Sequence, residues 1–137
     1  MVRDHRELIC WQRSDELRRL IIEHTKEGTP ASRDNRFTKN LLDAIGSACR
    51  NQSEGFYKYW HSEQRPLFNT ARGSLGETKD GIQEGLERGF WSQEIADRMF
   101  SLCKRAMKAN LNWLKSLKRR DPKRDRGDRS QDPGRHP

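Results

Sequence analysis

The sequence predicts an all-α fold, an up-down-up-down four-helix bundle. Three observations carry this expectation. Four segments have apolar residues recurring every three or four positions, no segment shows the sustained alternation of a strand, and the connections are short enough to make sequence neighbours pack antiparallel. The 137 residues suit one domain, assigned to 1–118, with 119–137 as a tail.

The first helix is expected from about Arg6 to Lys26. Ile9, Cys10 and Trp11 begin a stripe that Leu17, Leu20, Ile21 and His24 continue, and Gly28, Thr29 and Pro30 punctuate its end. The second is expected from about Arg36 to Glu54, with Asp34 as N-cap. Phe37, Leu41, Ile45, Ala48, Cys49 and Gln52 trace its inner face, and Gly55 stands where a C′ glycine would end it. The third begins between Ser62 and Pro66 and runs to about Glu87 along Phe68, Ala71, Leu75, Thr78, Ile82 and Leu86. Gly73, Gly76, Gly81 and Gly85 interrupt it, each at a cost of ~1 kcal/mol relative to Ala. Close helix approach or tertiary support would explain that tolerance; a broken helix is the competing reading. Gly89 is a natural stop, and Ser92 can cap a fourth helix from Gln93 to about Leu117. This helix has two adjoining apolar stripes. One is Ile95, Met99, Leu102, Ala106, Ala109 and Trp113; the other is Phe100, Cys103, Met107, Leu111 and Leu114. So broad a face points to a subunit interface as well as a bundle core.

Composition limits what this bundle can do. Hydrophobic residues are 31%, charged residues 35%, and mean hydropathy is -1.16, so the core is thin and invites oligomerisation. Residues 119–137 contain no large apolar side chain and read as a disordered tail. Seven Arg/Lys against four Asp make that tail +3 and leave +5 of the net +8 for the body. A basic balance suits a polyanion, nucleic acid first and an acidic protein second. Cys10, Cys49 and Cys103 are odd in number and lack a C-x-x-C pair, and there is no signal peptide or 18-residue apolar run. Free thiols in a reducing cytoplasm, with no membrane partner, are the expectation.

Four stretches in register, LICWQRSDEL, LLDAIGSACRNQSEGF, FNTARGSLGET and LERGFWSQE, carry a family resemblance spanning roughly residues 6 to 117. The chain resembles the small bacterial four-helix-bundle proteins encoded in intervening sequences of 23S rRNA genes. Their relatives include the accessory variability determinant proteins of diversity-generating retroelements. The resemblance implies a homopentameric, barrel-like assembly with a basic surface. On the retroelement branch it also implies association with a reverse transcriptase and its RNA or cDNA. The family's Phe-Pro-x-x-Glu element is replaced here by EGTPASRDNRF, and Gln52-Ser53 stands where Ile-Ala is common.

No catalytic motif emerges. His5, His24, His61 and His136 have no metal-ligand spacing, ARGSLGET lacks both a G-x-S-x-G elbow and a preceding strand, and the glycines lack a phosphate-loop ending. No cofactor and no metal are expected. Glu54, which the resemblance singles out, is read as part of a buried or half-buried polar network with Arg50, Asn51 and Gly55, in preference to a catalytic acid. The candidate nucleic-acid contacts are Lys104, Arg105, Lys108, Lys115, Lys118, Arg119 and Arg120, with Lys58 further back and Lys39, Arg50, Lys79 and Arg88 as weaker candidates. Tyr57, Tyr59 and Trp60 flank Lys58 and could stack on bases, but a sparse core needs its aromatics and packing is the preferred reading. The function expected is that of a non-enzymatic, nucleic-acid-binding accessory protein, a scaffold in a ribonucleoprotein. A protein-interaction scaffold is the alternative, and a hydrolase using Glu54 the third class.

Overall fold

The computed structural model describes residues 2–120, with side chains as far as Leu117; the predicted tail lies outside the described side chains. Four helices form: α1 (Ile9–Thr25), α2 (Asn35–Phe56), α3 (His61–Glu87) and α4 (Gln93–Arg120). Two 3-10 turns, His5–Glu7 and Pro30–Arg33, precede α1 and α2.

The helix ends follow from local chemistry. Leu8 is extended (φ -71°, ψ 124°), so the predicted start at Arg6 is a separate turn, capped where Asp4 accepts from the Arg6 N–H. Asp34 caps α2 by accepting from the Phe37 N–H at 2.9 Å, as expected. Ser92 does the same for α4 through the Ile95 N–H at 3.2 Å. Gly89 adopts φ +75° and closes α3: its N–H bonds the Leu86 carbonyl while the Phe90 N–H reaches the Gly85 carbonyl at 2.8 Å.

Register establishes the topology. Leu41 lies against Gly81, Ser47 against Ser74 and Gly55 against Phe68, so α2 and α3 run antiparallel. Leu75 with Cys103, and Phe68 with Asn110, do the same for α3 and α4. Gln52 reaches back to Ser14 and Cys10 across the α1–α2 pair. Packing of α1 on α4 closes the ring as an up-down-up-down bundle.

The core faces largely match the predicted stripes, with informative differences. On α1 the buried line is Cys10, Ser14, Leu17, Ile21 and Thr25; His24 is displaced to half-burial by Thr25, and Ile9 is 61% exposed. On α4 the buried line is Ala96, Met99, Cys103, Ala106, Asn110 and Leu117, which runs between the two predicted stripes. Those stripes pack sideways against α1 and α3, and no large α4 hydrophobic is exposed among the described residues. The breadth of that face is therefore accounted for by two neighbours within one chain.

Two of the four α3 glycines mark close approach. A Cβ on Gly81 would meet Leu41 Cδ1 at 2.6 Å and one on Gly85 would meet Trp91 Cζ2 at 2.0 Å, whereas Gly73 and Gly76 face open space. The helix is continuous, so the broken-helix reading is excluded.

Candidate nucleic-acid interface

A second correction concerns RNQSEGFYKYW. Helix α2 continues through Gly55 to Phe56, and Gly55 is buried without positive φ. Its lack of a side chain serves α3, because a Cβ there would sit 2.8 Å from Phe68 Cε2. Glu54 and Arg50 are exposed, so the expected network does not form around them. Asn51 is half-buried and donates to the Ser47 carbonyl (2.8 Å) and Ser47 Oγ (3.0 Å), which in turn bonds Ser74 Oγ on α3 at 3.0 Å.

The buried polar network is centred instead on Gln52 and Asn110. Asn110 Nδ2 donates to the Phe68 carbonyl (3.1 Å) and to Gln52 Oε1 (3.0 Å). Gln52 Nε2 donates to Ser14 Oγ (3.0 Å), which donates to the Cys10 carbonyl (2.8 Å). One chain of hydrogen bonds thus joins all four helices, and Ser14, Gln52 and Asn110 are fully buried. Any axial slip of one helix would unpair a buried amide, so this layer sets register. The detectable signal was Asn110 itself, a polar residue on the line through Met99, Cys103 and Ala106.

Several surface charges outside α4 are paired, whereas among the described residues no α4 cation meets a carboxylate. Asp15 takes Arg18 at 2.9 Å and Arg19 at 2.8 Å. Burial alone would raise its carboxyl pKa, but those two guanidinium hydrogen bonds outweigh burial and hold it below the ordinary value. Arg88 bridges Asp34 at 2.7 Å and Glu84 at 3.1 Å. The Phe37 amide first, and Arg88 second, lower the Asp34 carboxyl. Arg6 is paired with Asp4, Lys26 with Glu23, and Arg13 with Glu16.

From Arg98 to Arg120, by contrast, α4 holds eight Arg/Lys and no Asp or Glu. Lys104, Arg105, Lys108 and Lys115 are all exposed, and among the described residues none of them pairs with a carboxylate. Lys118, Arg119 and Arg120 continue the helix, with side chains outside the described set. Arg98, Arg105, Lys108 and Lys115 follow one another at spacings of seven, three and seven, which places them on the side of α4 opposite its buried line.

The loop between α2 and α3 lies at the end of the bundle where α4 finishes, since Phe56, Leu114 and Leu117 share one apolar cluster with Leu8. Here the preference for packing is overturned for two of three aromatics. Tyr57 is 59% and Tyr59 70% exposed, with exposed Lys58 between them; only Trp60, at 8%, is core.

Elsewhere the chemistry is sparse. A groove of ≈ 660 Å³ between α2 and α3 is acidic: Asp34, Asp43, Glu77, Asp80 and Glu84 outnumber Arg36 and Arg88, and no Ser, Cys or His lines it. Burial pushes the Cys10 thiol up to about 12 and those of Cys49 and Cys103 up to about 11, so none is a ready nucleophile. Among the described residues no cluster of His, Cys, Asp and Glu could hold a metal ion, and no helix is long and apolar enough to cross a membrane.

A family model described as 23S rRNA-intervening sequence protein matches residues 6–112. No curated protein matches the chain.

Proposed function

The chain belongs to the family of 23S rRNA-intervening sequence proteins, and from that premise we propose that it is a non-enzymatic nucleic-acid-binding accessory protein whose phosphate-contacting surface is the exposed side of α4. The observation that carries this reading is the run of eight cations without a carboxylate between Arg98 and Arg120. A cation already paired with a carboxylate must give up that pair to meet a phosphate. Among the described residues the exposed cations of α4 have none to give up, so displacement of counterions from the nucleic acid is the main change on binding. The helical rise also suits a polyanionic strand. Arg98 and Lys115 are separated by seventeen residues, ~25 Å along the axis, which spans several phosphates.

A homopentamer, and a place beside a reverse transcriptase in a ribonucleoprotein, are proposed on the resemblance alone. A ring of subunits would multiply the α4 surface and raise avidity. Light scattering at micromolar concentration checks the assembly, and a monomeric mass removes it.

The test of binding is fluorescence anisotropy with labelled RNA and DNA across a salt series. The triple charge reversal of Lys104, Lys108 and Lys115 to Glu should leave helical content intact and flatten the log K against log salt slope by about 2 to 3. Absence of wild-type binding even at low salt overturns the reading and leaves the protein-interaction scaffold in its place.

A further inference from the structure

The loop at 57–60 spends two large aromatic side chains outside a core that has few to spare. Among the described residues the exposed large hydrophobics are Val2, Ile9, Ile22, Tyr57 and Tyr59, and the two tyrosines, at 59% and 70%, are among the most exposed of them. Burying either ring would have added to a thin core, so their exposure is a cost that folding alone does not explain.

Both rings are nonetheless held in place. The Tyr57 hydroxyl accepts from the His5 N–H at 3.3 Å and bonds His5 Nδ1 at 3.0 Å. Its ring meets Phe56 and His5 in T-shaped contacts at 5.0 and 5.7 Å. Tyr59 packs in a T-shaped contact on Trp60 at 4.6 Å, and Trp60 is itself buried. The loop backbone is tied down as well, since Gln64 Nε2 donates to the Lys58 carbonyl at 2.7 Å. Ordering these rings ahead of binding lowers the entropy lost when a ligand arrives.

Charge surrounds them in a specific way. Lys58 is exposed between the two rings and, among the described residues, pairs with no carboxylate, while nearby Arg6 is committed to Asp4 at 2.8 Å. The α4 cations end at this same pole of the bundle, with Leu114 and Leu117 sharing a cluster with Phe56. An aromatic pair interleaved with an exposed ammonium, at the end of the bundle where the cationic helix finishes, combines base stacking with phosphate neutralisation.

We infer that Tyr57 and Tyr59 form a stacking platform for unpaired nucleobases, so that the protein prefers single-stranded over duplex nucleic acid. Lys58 and the described exposed cations of α4 hold the phosphates on either side. This rests on the nucleic-acid reading above and assigns to it a ligand class: a strand whose bases are free to splay onto an aromatic face. A duplex keeps its bases stacked internally and offers only phosphates, which α4 can meet but the tyrosines cannot use.

The experiment compares the wild-type protein with Tyr57→Ala/Tyr59→Ala on four probes of one length: single-stranded RNA, single-stranded DNA, duplex RNA and an abasic single strand. The double variant should lose about tenfold or more on both base-bearing single strands, with duplex and abasic binding unchanged. Tyr59→Phe should retain binding, because the ring stacks without its hydroxyl. Wild-type affinity for the abasic strand should match that of the double variant for the normal strand.

Equal single-strand binding by wild type and double variant, with the α4 charge reversal still flattening its salt dependence, overturns the platform and keeps the α4 interface. Loss of duplex and single-strand binding together would also overturn it, because the tyrosines would then be supporting the fold of the site. Circular dichroism of the double variant separates that outcome from unfolding. No binding by the wild type to any probe removes the parent reading itself.

Discussion

Replacing Gly85 by alanine tests the packing account with one added carbon. The new Cβ would lie 2.0 Å from Trp91 Cζ2 and 2.4 Å from Cε2, where ordinary contacts begin at 3.4 Å, so the ring must retreat by about 1.4 Å. Retreat is obstructed. Trp91 is 5% exposed, its centroid lies 5.8 Å from Phe37 and 6.4 Å from Phe90, and its Nε1–H donates to the Ile82 carbonyl at 3.0 Å. Overpacking of this kind costs ~1–3 kcal/mol, and loss of the buried indole hydrogen bond adds ~1–3 kcal/mol. Against this stands ~1 kcal/mol gained in helix propensity. The net expectation is destabilisation of about 1–5 kcal/mol, which at a urea m-value of ~2 kcal/mol/M lowers the midpoint by about 0.5–2.5 M. Gly73→Ala is the matched control on the same helix: nothing lies within 4 Å of its Cβ, so it should stabilise by ~0.5–1 kcal/mol. Urea titration followed by far-UV circular dichroism reads both. A Gly85→Ala midpoint at or above wild type would refute the wedged-tryptophan argument, and a lowered Gly73→Ala midpoint would refute the open face.

Three further outcomes follow from the site. Asn110→Leu leaves Gln52 Oε1 buried without its donor and should cost about 1–3 kcal/mol; Gln52→Leu/Asn110→Leu should cost less than the two single changes added together, as a double-mutant cycle would show. Because the Asp15 and Asp34 carboxyls are lowered in the folded state, their stabilisation is complete above the ordinary carboxylate range and is lost as pH falls through it and below. Urea midpoints should therefore drop between neutral pH and about pH 3, and Asp15→Asn should shallow that drop. All three thiols are buried with raised pKa, so iodoacetamide should label them slowly in the native protein and fully only in denaturant; rapid native labelling of Cys103, whose Sγ–H bonds the Leu75 carbonyl at 3.4 Å, would contradict its placement.

The sequence by itself determined the number of helices, their ends to within a few residues, and most of the inward faces. Those features depend on short-range physics: the helical period sorts Phe37, Leu41, Ile45 and Ala48 onto one side, and Asp34, Gly89 and Ser92 act on amides within four residues of themselves. The identity of the α4 cations as candidates was legible for the same reason, being a linear run. Only the tertiary structure decided which cations were free, because Arg88 finds Asp34 across 54 positions while Lys108 finds no carboxylate among the described residues. It also moved the buried polar centre from Glu54 to Gln52 and Asn110, 58 residues apart, and turned Tyr57 and Tyr59 outward while burying Trp60. Spacing along one chain records which residues share a face. It carries no record of what a distant helix places opposite that face, and pairing, burial and exposure are properties of that juxtaposition.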